Sequence, residues 1–93
     1  METAKIIYEQ IKAIDVYALM AWGSSNFRGQ DNTLGFTVRG LKMKGQVFIT
    51  LDEATDMYNI EFYKGLSLPK LYKKIEGVFC DELVKTIDEV IEK

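Results

Sequence analysis

The segment from Leu34 to Tyr63 constrains the fold of this 93-residue chain most strongly. Apolar and polar residues alternate in three runs, which are Leu34–Arg39, Gln46–Leu51 and Met57–Tyr63, and turn-forming residues separate them. Alternation with a period of two is typical of strands that bury one face. The segment therefore predicts an antiparallel meander of three strands with the core on one side.

The side chains of the three strands divide into two faces by parity. The face that is predicted to be buried, here called the core face, carries Leu34, Phe36, Val38, Val47, Ile49, Leu51, Tyr58, Ile60 and Phe62. The opposite face, here called the reverse face, carries Thr37, Arg39, Gln46, Phe48, Thr50, Met57, Asn59, Glu61 and Tyr63. The reverse face is thus polar but includes two aromatic residues and a methionine.

Apolar stripes at helical spacing predict a helix near each end of the chain. The first stripe consists of Ile7, Ile11 and Ile14, and its helix is expected from Thr3, as the N-cap, to about Ala13. The second helix is expected from about Cys80 to Glu92, with a broad stripe made of Phe79, Leu83, Val84, Ile87, Val90 and Ile91.

The remaining segments are less regular. Val16–Trp22 is apolar throughout and is compatible with either an extension of the first helix or a buried strand. Gly23–Asn26 is predicted as a turn and Gln30–Thr33 as a polar loop. Residues 64–77 are predicted as a loop that packs down, with a short helical turn after Pro69.

These elements predict a single small two-layer α+β domain over residues 1–93. Its order is α-(β)-β-β-β-α, with an antiparallel sheet of three or four strands. The N-terminal and the C-terminal helix are expected on one face of the sheet, because each helical stripe must be buried against another element. The length leaves room for one domain only.

Composition is that of an ordinary soluble protein, with 47% hydrophobic and 28% charged residues, so a folded globular domain is expected. No apolar run approaches the ~20 residues of a membrane span, and no membrane association is predicted. The first residues do not resemble a signal peptide, and the lone Cys80 forms no internal disulfide. A cytoplasmic location is therefore expected.

Catalytic and metal-binding patterns are missing from the sequence. The chain contains no histidine, which is the usual general base near neutral pH and the commonest metal ligand. Ser24 and Ser25 have no identifiable base, and Asp52, Glu53 and Asp56 lack the glycine and spacing of a calcium loop. The sequence predicts neither an enzyme nor a bound metal or cofactor.

Aromatic residues next to arginines are the best candidates for binding, because this composition is typical of interface hot spots. The candidate residues are Trp22, Phe27, Arg28, Arg39, Phe48, Met57 and Tyr63. The competing interpretation is that a helix or loop covers these side chains, so that they belong to the core. This interpretation applies above all to Trp22. The reverse face is expected to meet either a second copy of the chain or a target.

Charge is unevenly distributed along the chain. Two basic groups, one at Arg39, Lys42 and Lys44 and the other at Lys70, Lys73 and Lys74, could follow a nucleic-acid backbone. The alternative is that they are solvated loop lysines. Residues 75–93 hold six acidic residues against two lysines, which indicates a solvated acidic helix face or a surface for a basic partner.

A resemblance to other proteins rests on five stretches, which are Ala18–Phe27, Leu34–Phe36, Val47–Asp52, Asp56–Phe62 and Gly77–Leu83. These stretches resemble a group of small uncharacterised proteins of tailed phages and mobile elements. That group has a polar, strand-like version of the Met20–Phe27 stretch, which favours a strand at Val16–Trp22. This chain departs from the group by having Trp22 and Ser25 in place of Thr and Lys, and by a more acidic C-terminal helix. The resemblance implies an accessory protein that acts by binding.

The main functional hypothesis is therefore a non-enzymatic binding protein of phage or mobile-element origin that acts on a host or viral macromolecule. Inhibition of a host defence system is one version of it, and a protein partner or a homodimer is the expected assembly. One alternative is a nucleic-acid-associated module. Another is an oligomer that sequesters a small molecule such as a nucleotide through Trp22, Phe27 and Arg28.

Overall fold

The computed structural model describes residues 2–65 and 67–92. Its elements are α1 (Glu2–Ile14), α2 (Ala18–Ala21), β1 (Ser25–Gln30), β2 (Thr33–Arg39), β3 (Lys44–Asp52), β4 (Met57–Lys64), β5 (Lys70–Val78), a 3-10 turn (Cys80–Glu82) and α3 (Leu83–Ile91). The α+β class is confirmed.

The strands form one antiparallel sheet in the sequential order β1-β2-β3-β4-β5. The sheet thus has five strands rather than the three or four that were predicted. The three predicted strands are confirmed to within two residues as β2, β3 and β4. They pair without a shift in register, so that Phe36 lies opposite Val47 and Val47 lies opposite Phe62.

The core face is confirmed, because its residues are buried except for Leu51, which is partly buried. Buried side chains of all three helices join them in one hydrophobic cluster. From α1 come Ala4, Ile7 and Ile11, and from α3 come Leu83, Val84, Ile87, Val90 and Ile91. Removal of this apolar surface from water is the main force that stabilises the fold.

Some predictions about the helix ends are wrong. Ile14 is exposed because α1 ends there and the chain turns at Asp15, whose side chain accepts a hydrogen bond of 3.0 Å from the backbone N–H of Tyr17. Thr3 lies within α1 rather than at its cap, and its hydroxyl donates to Asn32 Oδ1. Phe79 precedes the 3-10 turn and is exposed.

The strand that was favoured at Val16–Trp22 is absent, since this segment forms the short helix α2. Helical spacing places Ala18, Leu19 and Trp22 in the core, whereas Met20 points to solvent. The first strand starts later, at Ser25, inside the segment that was predicted to be a turn. This strand escaped prediction because its residues are polar and mostly exposed.

The loop and helical turn that were predicted for residues 64–77 are also wrong, because β5 starts directly after Pro69. Ile75 of β5 lies opposite Ile60 and Val78 lies opposite Tyr58, so the strand does extend the core face. The lysines of β5 obscure this apolar alternation. Lysine-rich sequences are common in edge strands, where they oppose pairing with other chains.

Candidate functional site

The reverse face of the sheet carries a continuous row of residues that crosses all five strands. Arg28 of β1 lies opposite Gly35, Gly35 opposite Phe48, Phe48 opposite Glu61, and Glu61 opposite Lys74 of β5. Directly opposite residues on one face of a sheet are close enough for their side chains to interact. The row therefore forms one connected surface.

Phe48 is the centre of this surface. Its ring lies over Gly35, which has no side chain to obstruct it. The guanidinium carbon of Arg28 is 5.4 Å from the centroid of the ring, in the range of a cation–π contact. On the other side, the ring of Tyr63 meets that of Phe48 edge-on, with 5.5 Å between centroids. We call Arg28, Phe48 and Tyr63 the aromatic cluster.

Hydrogen bonds hold the side chain of Arg28 in place beside Phe48. Its Nη1 donates to the backbone oxygen of Asn26 over 2.8 Å, and its Nη2 donates to Oε1 of Gln46 over 2.6 Å. Asn26 adopts a left-handed backbone conformation, with φ of 53°, within an irregularity of β1. An arginine that is already ordered loses less conformational entropy when a partner binds.

The other end of the row is charged. Lys74 Nζ lies 4.0 Å from Oε2 of Glu61 and 3.9 Å from Oε2 of Glu76. Such exposed pairs stabilise the fold little, because water screens them. They do place charges of both signs on one side of the aromatic cluster, as in the polar rim of a protein interface.

Two other candidate residues lie on the reverse face but outside the aromatic cluster. Met57 begins β4 opposite Asp52, at the β3–β4 turn, and is partly exposed. Arg39 ends β2 opposite Lys44 and is exposed, and its backbone N–H donates to the carbonyl oxygen of Trp22 over 2.8 Å. Both therefore lie at the periphery of this face.

Trp22 belongs to the core, contrary to its assignment as a binding residue. Its side chain is fully buried, with 0% exposure, and its ring lies almost parallel to that of Phe36, with 6.4 Å between centroids. The indole Nε1–H donates to Oδ1 of Asp88 over 3.1 Å, which ties α2 to α3. The competing interpretation of Trp22 as a core residue thus agrees with the structure.

Phe27 lies apart from the aromatic cluster and packs toward α1. Its ring contacts Tyr8 edge-on with 5.2 Å between centroids, and contacts Phe36 over 5.4 Å. It is nevertheless 41% exposed. The sequence offered no sign that Tyr8 would join this site, because the contact depends on how α1 packs against β1.

Residues 2–65 and 67–92 contain no group of three or more cysteine or acidic side chains arranged to hold a metal ion. Over the same ranges, no helix is both long enough and apolar enough to cross a membrane. Cys80 is an exposed free thiol.

Comparisons with protein-family models, with curated proteins and with solved structures each returned no significant match to this chain.

Proposed function

We propose that the chain is a non-enzymatic binding protein that contacts a protein partner through its aromatic cluster. The observation that carries this proposal is the position of Phe48, which lies over Gly35 between the side chains of Arg28 and Tyr63. Arginine and tyrosine around a central aromatic ring are the residue types that dominate interface hot spots.

The reverse face is the open face of the sheet in this proposal. The buried side chains of α1, α2 and α3 belong to the same cluster as the core face, which supports helices on that side of the sheet. Phe48, Met57 and Tyr63 are only partly buried on the other side. A monomeric protein rarely exposes a contiguous apolar patch that has no use.

The charges around the aromatic cluster favour a protein over a polyanion as the partner. Arg28 and Lys74 are cationic, whereas Glu61 and Glu76 are anionic, and all four lie along or beside the same row. Mixed charge suits the polar rim of a protein interface, whereas a phosphate backbone requires a surplus of cations.

The biological setting of the proposal follows the resemblance described above. In this proposal, the chain is a phage or mobile-element protein that binds a host or viral macromolecule in the cytoplasm, for example to inhibit a defence system. The same surface would also serve a homodimer, in which the aromatic clusters of two copies meet.

The double variant Phe48→Ser/Tyr63→Ser tests the proposal. We expect it to stay folded by far-UV circular dichroism but to lose self-association in sedimentation velocity or binding to the target in a pull-down from host lysate. Leu41→Ser is the matched control, because Leu41 is an exposed apolar residue away from the sheet. A folded double variant that associates and binds like the wild type would refute the proposal, and an unfolded one would place these aromatics in the core.

A nucleic-acid-associated module is the second candidate, and β5 is the observation that favours it. This edge strand displays Lys70, Lys73 and Lys74, and Lys64 Nζ lies 5.2 Å from the ring centroid of the exposed Tyr72. Lysines beside an aromatic ring can bind phosphates and stack a base. Binding of single-stranded DNA that weakens steeply with salt and is lost in Lys70→Ala/Lys73→Ala would support this candidate.

A further inference from the structure

A second surface, which shares only Arg28 with the row on the reverse face, lies on the helix side of the sheet. α1 and β1 border an open groove of about 530 Å³. Its lining comprises Ala4, Lys5, Tyr8, Phe27, Gly29 and Leu34, with Arg28 at the border that it shares with the reverse face. This volume falls within the range of roughly 300–1,000 Å³ that is usual for small-molecule sites.

We infer that this groove binds a free alkyl carboxylate, that is, a small amphiphile with an apolar chain and one anionic headgroup. The inference goes beyond the proposed function, because it concerns a different surface and a small ligand rather than a protein.

The walls of the groove fit an apolar chain. Ala4 and Leu34 are buried, and the rings of Tyr8 and Phe27 meet edge-on across the space between α1 and β1. Phe27 remains 41% exposed although it also touches Phe36 of the core, so a ligand that covered it would remove apolar surface from water. Few polar groups line the groove, which makes it a poor site for reading the edge of a nucleobase.

The charges at the groove fit an anionic headgroup. Lys5 is a cation in its lining, and Lys12 Nζ lies 5.3 Å from the ring centroid of Tyr8, which also lines the groove. The guanidinium of Arg28 is held beside Phe48 on the reverse face. None of the described lining residues is acidic. The chain as a whole has a net charge of −2, so this local surplus of cations is not a consequence of overall composition. A carboxylate beside these cations gains favourable electrostatic energy.

The protein contains its own reporter for occupancy of the groove. Trp22 is the only tryptophan, and it stacks on Phe36, which in turn contacts Phe27. A ligand that shifts Phe27 should therefore change the emission of Trp22. The ligand should also raise the melting temperature of the protein, because it binds the folded state alone.

The experiment uses calorimetric titration and Trp22 emission to compare decanoate with decanol. These two compounds have the same alkyl chain but differ in headgroup charge. We expect decanoate to bind the protein and decanol to bind at least about fivefold more weakly. Lys5→Glu should weaken decanoate binding by a similar factor and leave decanol unchanged, since Lys5 is exposed and its replacement leaves the core intact. Lys42→Glu, which changes a lysine away from the groove, should bind decanoate like the wild type.

The inference would be overturned if decanoate did not bind, if both compounds bound equally, or if Lys5→Glu bound decanoate like the wild type. Binding to phosphatidylglycerol vesicles without binding of monomeric decanoate would also overturn it, because the surface would then recognise a membrane rather than a free carboxylate. The aromatic-cluster variant Phe48→Ser/Tyr63→Ser should retain decanoate binding, which separates this inference from the proposed function.

Discussion

The ring of Phe48 fills the space that a side chain on Gly35 would occupy. A Cβ atom on residue 35 would lie 2.8 Å from both Cδ1 and Cε1 of that ring, and 3.6 Å from Cγ of Arg28. Gly35→Ala should therefore displace the Phe48 ring, because these atoms belong to a side chain that can rotate. We expect the free energy of unfolding to change by no more than about 1 kcal/mol, with altered near-UV circular dichroism and weaker partner binding.

Gly45→Ala is the contrasting substitution for Gly35→Ala. A Cβ on residue 45 would lie 1.9 Å from the carbonyl oxygen of Tyr63, and that oxygen belongs to the backbone of the neighbouring strand. The sheet itself must distort, so Gly45→Ala should lower stability far more in urea unfolding. Equal stability of the two variants would show that Gly45 is not sterically required.

Ile49→Asp should unfold the protein, whereas Thr50→Asp should be tolerated. Ile49 is 0% exposed on the core face, and an unpaired buried carboxylate costs a large part of a total stability of roughly 5–15 kcal/mol. Thr50 is partly exposed on the reverse face, where its hydroxyl is 2.9 Å from that of Thr33. Thermal melts of both variants test the assignment of faces, and equal losses would contradict it.

Asp88→Ala should destabilise the protein more than Glu89→Ala does. Asp88 accepts the indole N–H of Trp22, and loss of a hydrogen bond to a charged acceptor costs about 1.5–3 kcal/mol. Glu89 is the neighbouring residue on α3 and is exposed, so it serves as the control. Urea titrations followed by Trp22 fluorescence measure the loss of stability in each variant. Equal midpoints would show that the bond contributes nothing.

Tyr58 should make the protein sensitive to alkaline pH. Burial raises the pKa of Tyr58 above its usual value of 10.0, and the nearby Cys80 and Asp56 act in the same direction. The folded state thus holds the phenol proton more tightly than the unfolded state. The resulting stability is present below pH 10.0 and is lost as the pH rises toward the folded-state pKa.

The matched variant for this prediction is Tyr58→Phe. At neutral pH it should cost about 0.5–1.5 kcal/mol, because the hydroxyl of Tyr58 donates to Oε1 of Gln10. Above pH 10.0 it should lose less stability than the wild type, since it has no phenol to ionise. If wild type and Tyr58→Phe lost stability in parallel above pH 10.0, Tyr58 would not be the source of the alkaline sensitivity.

Sequence patterns predicted β2, β3 and β4 because these strands bury one face fully and the other only partly, which gives clean alternation. The same physics explains why β1 and β5 were missed. Both are edge strands that expose most of their side chains, so their sequences carry little of the apolar periodicity on which prediction depends. The run at Val16–Trp22 was too short for periodicity to distinguish a helix from a strand.

The candidate site follows the same rule: a contact between two predicted strands could be anticipated, whereas a contact with an unpredicted strand could not. Parity within predicted strands put Phe48 and Tyr63 on one face, and the structure brings them into contact. Arg28 joins them only through the unpredicted strand β1. Both interpretations of Trp22 stayed open because an aromatic residue that ends a short helix has no pattern that distinguishes core from surface, and the structure buries its side chain.

The sequential strand order also bears on how the protein reaches its fold. Each strand pairs with the one just before it in the chain, so sheet formation requires only short loops to close. The order in which strands leave the ribosome is then the order in which they can pair. The last helix closes the longest loop, through the bond of Trp22 to Asp88 and the donation from the Lys42 N–H to the Ile91 carbonyl. Docking of α3 is thus the step that joins this last helix to α2 and to the β2–β3 turn in one cooperative unit.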